Sequence, residues 1–221
     1  MNILSMEELE YHWNICCHEC QRLKDTSMFV DHSLDEAGTL VQGTVYSYEF
    51  RDILEITSEE FESVGKLLCK SFECTDVEKF NIVDISKAIL SSYPQICDAY
   101  MVFRRFNLEP YRKWRVVKNQ KGGDVAEGLG WWKMHNDSKH NGYEAFKQCT
   151  LKNCVDALAS LILLNLYLIR SQVNVAFGVT DIRDICSNGD LGEFSVGHYC
   201  GRQFLTKGEE VLPDFAEINT V

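Results

Sequence analysis

Residues 151–170, LKNCVDALASLILLNLYLIR, form the stretch that decides the fold of this 221-residue chain. Thr150 can act as the N-cap, and residues 161–164 are apolar almost all round the helix. The apolar run, residues 158–169, is shorter than the ~20 residues that span a bilayer, and Lys152 precedes it closely. We therefore predict a buried core helix at the centre of a mainly α fold, with no membrane as a partner.

The N-terminal region is predicted to begin with a helix. Ser5 and Glu8 have the spacing of a capping box, in which each side chain satisfies a free backbone N–H, and the helix should run to about Lys24. The start MNILSMEELEYHW lacks the basic and apolar segments of a secretory signal. Residues 39–48 are rich in Val, Thr and Tyr, a composition that favours a strand.

Further elements are predicted between this region and the core helix. Thr57 and Glu60 repeat the capping-box spacing before an amphipathic helix over residues 58–74. Asp84 is the predicted N-cap of a shorter helix that ends near Leu90, and an extended segment should follow at residues 99–103.

The last predicted helix before the core helix follows a glycine-rich stretch. Residues 118–130 contain four glycines among polar residues and are predicted to be a loop. This loop leads into WWKMHNDSKH, residues 131–140, predicted as a helix that Gly142 breaks or caps.

We divide the chain into three parts. Residues 1–45 supply the N-terminal helix and an extended segment, and residues 46–172 supply the helical core. Residues 173–221 are rich in glycine and are predicted to form turns and short strands packed on the same domain. The predicted fold is thus a helical bundle with small β elements near the termini.

The charge distribution points to a local basic surface. The chain has a net charge of −11, which argues against a general nucleic-acid coat. Residues 104–140 carry nine basic and four acidic side chains, which gives +5 there and −16 elsewhere. Such a segment is either an anion-binding patch or a solvated face. The candidate RNA-binding residues within it are Arg104, Arg105, Arg112, Lys113, Arg115 and Lys133.

Ten cysteines and no secretory signal are typical of a chain in the reducing cytoplasm, where free thiols act as small buried hydrophobes. His12, Cys16 and Cys20 share one face of the first helix, and Cys17 with Cys20 has Cys-x-x-Cys spacing. Three such ligands can hold zinc, but no second cysteine pair matches this one. We favour buried thiols and predict no metal and no cofactor, and the role of this cluster stays open.

The main candidate site is the helix over residues 131–140. Trp132, Asn136 and His140 are four residues apart, and His135 and Lys139 lie on an adjoining face. Asn136 can orient the imidazole of His140, which can act as general acid or base beside the cations of Lys139 and His135. The alternative is structural, with the tryptophans as core anchors and His140 at a helix end.

The stretch WWKMHNDSKHNGYEAFKQCTLKNCVDALASLILLNLYL resembles the C-terminal part of HEPN-like proteins of bacterial and phage-defence origin. Those proteins carry two tryptophans, a spaced Asn, a Lys-His pair, a Phe and then an apolar helix. The matching residues here are Trp131, Trp132, Asn136, Lys139, His140, Phe146, Leu151, Asn153, Ala157 and Leu158. The resemblance covers roughly residues 46–169, and its WW…KH block is the most specific part.

The resemblance implies a HEPN-like helical bundle and a site shared by two protomers of a homodimer. Active members cleave RNA without metal, through attack of a 2′-OH on its own phosphate, supported by an Arg and a His. His140 takes the place of the motif His and Asn136 that of the polar residue, but His135 stands where the family has Arg. Histidine lacks the permanent bidentate charge of arginine, and Lys139 would replace it only as a point charge.

Two functions are therefore expected from the sequence. The first is an RNA-directed effector of bacterial defence or stress response, whose activity as a metal-independent endoribonuclease is left open by the departure at His135. The second is a non-catalytic HEPN-like interaction subunit of a defence or toxin–antitoxin assembly. The partner is RNA in the first case and another protein in the second.

Overall fold

The computed structural model of the chain describes residues 4–138, 142–172 and 189–196, without the side chains of residues 136–138 and 196. This part of the chain is mainly helical, as predicted, with two small sheets. Its helices are α1 (Met6–Asp25), α2 (Tyr48–Ser71), α3 (Ile82–Ser92), α4 (Gly130–Ser138), α5 (Gly142–Phe146) and α6 (Leu151–Gln172). Its strands are β1 (Met101–Phe103), β2 (Phe106–Leu108), β3 (Arg115–Lys118), β4 (Asp124–Glu127) and β5 (Phe194–Val196).

Helix α6 is the centre of the fold, which confirms the core-helix prediction. Almost every side chain from Leu151 to Ile169 is buried, and α1, α2 and α4 all pack on it. The helix is long and apolar enough to cross a membrane by composition, but 89% of its most apolar stretch is buried inside the protein. Thr150 caps it, with its hydroxyl accepting the N–H of Asn153 at 3.3 Å.

The predicted start of α1 is confirmed and that of α2 is wrong. Ser5 and Glu8 form the expected capping box at the start of α1. Helix α2 begins ten residues before the predicted start, because Ser47 accepts the N–H of Phe50 and caps it. Thr57 is instead buried within the helix. Glu60 reaches across the helix interface to His12 of α1, so a residue that looked like a local cap serves packing between helices.

Two smaller predictions are corrected. Helix α3 is capped by Asn81 rather than Asp84, which is the third residue of a capping box with Asn81. Residues 39–48 form turns and two isolated bridges, not a strand. One of these bridges, Tyr46 to Thr150, fastens the segment to the start of α6 and brings Tyr46 and α5 to the same surface.

The sheets pack beside the helices. Strands β2, β1 and β5 form an antiparallel sheet, which confirms the extended segment predicted near residues 99–103. Strands β3 and β4 form a hairpin in which Arg115 faces Glu127, so residues 118–130 are not merely a loop. Most of the described strands lie in mid-chain rather than near the termini. The strands predicted around residues 173–179 and 201–205 lie outside the described residues.

Candidate functional site

Helix α4 is held against the core by its first tryptophan. Trp131 is 2% exposed and donates its indole N–H to the Ser160 hydroxyl on α6 at 3.1 Å. Its ring lies edge-on to Phe61 of α2, with 5.0 Å between ring centroids. Because both the apolar surface and the N–H have partners, this end of α4 has a defined position.

His135 is part of the packing under α4. The residue is 3% exposed, and its ring lies 5.5 Å from that of Trp132, measured between centroids. The sequence places it where the resembled motif has an arginine that grips phosphate. In the structure the imidazole faces the interior instead of solvent, which does not suit such a grip.

The structure describes less of the other motif residues. Asn136 belongs to α4 by its backbone, but its side chain lies outside the described residues, as do Lys139 and His140. Their predicted meeting in one site therefore stays a prediction.

The structure brings two of the predicted RNA-binding residues together in a groove. Lys113 and Lys133 line an open groove of about 790 Å³ between the β3–β4 hairpin, the start of α3 and the start of α4. Both side chains are exposed, and neither forms an ion pair within the part of the chain that is described. Glu127 also lines the groove and pairs with Arg115. Most of the other lining is apolar and comprises Ile82, Val83, Val125, Ala126, Leu129 and Trp132.

A glycine allows the backbone of Lys113 to approach the connection between β4 and α4. Gly128 connects β4 to α4 with a φ of +94°, which favours glycine. A Cβ atom there would lie 2.0 Å from the carbonyl oxygen of Lys113, so the connection presses directly on that backbone. The close approach places Lys113 beside the α4 end that carries Lys133.

Three of the predicted arginines are compensated inside the chain. Arg112 pairs with Glu109 at 2.7 Å, and Arg115 pairs with Glu127 across the hairpin at 2.8 Å. Arg104 donates its Nε–H to Glu193 at 2.9 Å, beside β5. Arg105 is exposed at the β1–β2 turn and is not among the residues that line the groove. The +5 of the segment already includes Glu109 and Glu127, so among the described pairs only that of Arg104 with Glu193, which lies outside the segment, lowers it further.

Two lysines next to the groove share one carboxylate. Lys118 and Lys87 both bind Asp124, at 2.6 and 2.5 Å. Hydrogen bonds from Lys118 and then Lys87 hold the pKa of Asp124 below its usual range. Lys113 and Lys133 are the two cations of the groove lining, and neither has an ion-pair partner among the described residues.

The cysteine cluster on α1 lies in the core. Burial, followed by the neighbouring Cys20 thiol, raises the pKa of Cys16 well above its usual range, so the thiol stays protonated. The neighbouring His12 contacts Glu60 instead of the cysteines. Among the described residues, no group of three His, Cys, Asp or Glu side chains is arranged to hold a metal ion.

A second pocket, of about 400 Å³, was not predicted. It is lined by Tyr48, Arg51, Glu55, Gly142, Tyr143 and Phe146. The lining joins α2 to α5, which are about 90 residues apart in the chain, so no local motif marks it. Its signal in the sequence is the presence of tyrosines at positions 46, 48 and 143, the last of which lies just after the WW…KH block.

Comparisons of the chain with protein-family models, with curated proteins and with solved structures give no match. The HEPN-like resemblance therefore rests on the residues that carry it.

Proposed function

We propose that this chain is a HEPN-like, RNA-directed effector of bacterial defence or stress response that binds single-stranded RNA. The observation that carries the proposal is the pair of lysines, Lys113 and Lys133, that lie in one groove beside α4 without an ion-pair partner among the described residues. We place the protein in the cytoplasm and expect it to act as a homodimer, as the resemblance implies.

The groove suits an unpaired strand better than a duplex. Ammonium groups attract phosphates without regard to sequence, and apolar and aromatic side chains offer contact to bases that are not stacked in a helix. Lys113 and Lys133 supply the first kind of contact, and the half-buried side chains of Ile82, Val83 and Val125 supply apolar surface for the second. The net charge of −11 limits such binding to this groove, because the rest of the surface repels a polyanion.

A second candidate function is a non-catalytic HEPN-like interaction subunit of a defence or toxin–antitoxin assembly. The burial of His135 favours it, because the residue at the arginine position faces the interior. A metal-independent endoribonuclease would then depend on His140, Asn136 and Lys139 alone. The two candidates differ in their partner, which is RNA for the effector and another protein for the interaction subunit.

Binding is tested with a fluorescein-labelled 12-nucleotide RNA and fluorescence anisotropy. Lys113→Gln and Lys133→Gln should each weaken binding on the order of fivefold at low salt. The logarithm of the association constant falls linearly with the logarithm of the salt concentration. Each change should make this slope less steep by about 0.7, the value for one phosphate contact on a single strand. Lys121→Gln is the matched control, because it removes the same charge at the exposed hairpin turn, outside the groove.

Equal losses in the Lys121 and Lys133 variants would remove the groove from the proposal, and the absence of RNA binding would remove the function. Cleavage is assayed separately with transfer RNA and messenger RNA in the presence of chelator. Cleavage that His140→Ala abolishes supports the ribonuclease, whereas RNA binding without cleavage supports an RNA-directed effector that is not a nuclease.

A further inference from the structure

The surface next to α5 presents an unusual cluster of exposed aromatic rings. Tyr48 is 67% exposed, Tyr143 is 64% exposed and Tyr46 is 40% exposed. All three rings surround the half-buried Phe146, with centroid distances of 4.6, 6.5 and 5.3 Å for Tyr48, Tyr143 and Tyr46. Single exposed apolar residues are ordinary on a soluble protein, but a contiguous group marks an interaction site.

Backbone contacts hold these rings in one place. The carbonyl oxygens of Gly43 and Val45 accept the N–H groups of Lys152 and Leu151, each at 3.0 Å, which ties residues 43–46 to the first turn of α6. Tyr48 then lies at the start of α2 and Phe146 at the end of α5. The cluster is thus built on helix ends that the core fixes.

The rings already attract positive charge within the chain. The guanidinium of Arg51 lies 5.2 Å from the centre of the Tyr48 ring, and the ammonium of Lys147 lies 4.7 Å from the centre of the Tyr143 ring. The face of an aromatic ring carries negative electrostatic potential, which is why cations settle there. The pocket of about 400 Å³ between these rings has room for another cationic head group.

The charge balance of the pocket favours a cation over a phosphate. Arg51 is neutralised by Asp52 at 2.8 Å, and Lys147 by Glu144 at 2.9 Å. Glu55 is exposed, lines the pocket and forms no ion pair within the described residues. Its carboxylate interacts electrostatically with Arg51 without forming an ion pair, since the ion-pair partner of Arg51 is Asp52. Two cations and three carboxylates are then counted at the pocket, a net charge of −1 that would repel RNA and attract an ammonium or guanidinium group.

We propose that the pocket formed by Tyr48, Tyr143, Phe146 and Glu55 binds an arginine or lysine side chain that a basic partner protein presents. This site goes beyond RNA binding in the lysine groove and uses the opposite charge preference. The net charge of −16 outside residues 104–140 would draw such a partner toward the protein before contact.

The test uses two short peptides that differ only in charge. Acetyl-Gly-Arg-Gly-Arg-Gly-amide is titrated into the isotope-labelled full chain, with the analogue that carries citrulline in place of arginine as the neutral isostere. NMR follows the ring protons of Tyr48 and Tyr143 and the amide of Gly142. The arginine peptide should shift these signals and saturate at about millimolar concentration, as expected for a small cation–π contact, and the citrulline peptide should not.

Matched variants separate the pocket from general attraction to an acidic protein. Glu55→Gln should weaken binding of the arginine peptide on the order of fivefold, whereas Glu59→Gln removes the same charge one turn along α2, outside the pocket lining, and should leave binding unchanged. Tyr48→Leu should act like Glu55→Gln. Tyr11→Leu changes a similarly exposed tyrosine on α1 and should have no effect.

Three outcomes would overturn the proposal. Equal binding of the arginine and citrulline peptides would show that charge is not recognised. Equal losses in the Glu55 and Glu59 variants would show non-specific attraction. Shifts of the same ring signals by the 12-nucleotide RNA, lost in Tyr48→Leu, would assign the pocket to nucleic acid. A negative result in the RNA-binding assay of the lysine groove changes none of these outcomes, because that assay tests Lys113 and Lys133.

Discussion

Two aromatic clusters of similar size in the described part of the protein differ in exposure. The core cluster consists of Phe61, Tyr111, Trp114 and Trp131, each 2% exposed or less. The surface cluster consists of Tyr46, Tyr48, Tyr143 and Phe146, whose three tyrosines are at least 40% exposed. The rings of both clusters lie 4.6–6.5 Å apart, so ring packing alone does not distinguish a core from a binding surface.

The difference lies in the partners of the polar atoms. Ser160 alone satisfies two core rings, because its carbonyl accepts the Tyr111 hydroxyl at 2.5 Å and its own hydroxyl accepts the Trp131 N–H. Trp114 donates to the Ser86 hydroxyl at 2.9 Å. A buried polar atom with a partner costs little, whereas one without a partner costs the full desolvation penalty. The core cluster is thus complete within the chain, and the surface cluster leaves its rings open to another molecule.

The largest expected difference between the clusters is in stability. Trp131→Ala should lower the free energy of unfolding by about 3–5 kcal/mol, because it leaves a cavity between α4 and α6. Tyr143→Ala should change it by no more than about 0.5 kcal/mol, because most of that ring is already in water. Urea denaturation followed by circular dichroism measures both, and similar losses in the two variants would remove the distinction.

A smaller effect should follow from removing one hydroxyl. Ser160→Ala leaves the Trp131 N–H buried without its acceptor and should cost about 1–3 kcal/mol. Ser63→Ala is the control, since the Ser63 hydroxyl also donates to a carbonyl one turn back, that of Glu59 at 3.0 Å, but it is exposed and accepts no ring N–H. In a double-mutant cycle, Trp131→Phe should abolish most of the cost of Ser160→Ala. A cycle with no coupling would contradict the hydrogen bond.

Much of the helical architecture could be predicted from local sequence. The apolar circumference of α6 and the Ser5–Glu8 capping box are local patterns, and both predicted their helices correctly. The same pattern at Thr57 and Glu60 was misleading, because Glu60 does not cap a helix. Its carboxylate contacts His12 of α1 instead. Propensity and capping signals describe a segment in isolation and carry no information on the helix that packs against it.

The candidate sites depend on contacts between distant residues and were less predictable. The basic segment located Lys113 and Lys133, but the β3–β4 register decides that Arg115 is neutralised by Glu127 and that Lys113 is not. The tyrosine pocket joins residues 48 and 143 through the bridge from Tyr46 to Thr150, which no local pattern indicates. Counting basic or aromatic residues along the sequence therefore identifies candidate binding residues. The contacts between strands and helices are needed to show which of those side chains have no ion-pair partner among the described residues.

The smallest expected difference between the clusters is in the alkaline pH dependence of stability. Burial raises the pKa of Tyr111 well above its usual range, whereas the pKa of Tyr46 is raised by the hydrogen bond with Tyr143 at an exposed site. Above about pH 10 the unfolded chain loses the Tyr111 proton and the folded chain keeps it. The unfolded state then binds fewer protons, so the free energy of unfolding falls as pH rises, by at most about 1.4 kcal/mol per pH unit for this group.

Tyr111→Phe should flatten this decline between pH 10 and pH 11, although it lowers stability at every pH because the Ser160 carbonyl loses its donor. Burial also raises the pKa of the Cys16 and Cys154 thiols, so a decline that begins near pH 8.5 should persist in the variant. Tyr46→Phe should alter the slope less, since water screens a group at the surface. Urea midpoints measured at pH 8, 9.5 and 11 separate the change of stability with pH from the loss of stability that is the same at every pH. Equal flattening by both variants would mean that the two hydroxyls share one environment, against the contrast between a closed core and an open surface.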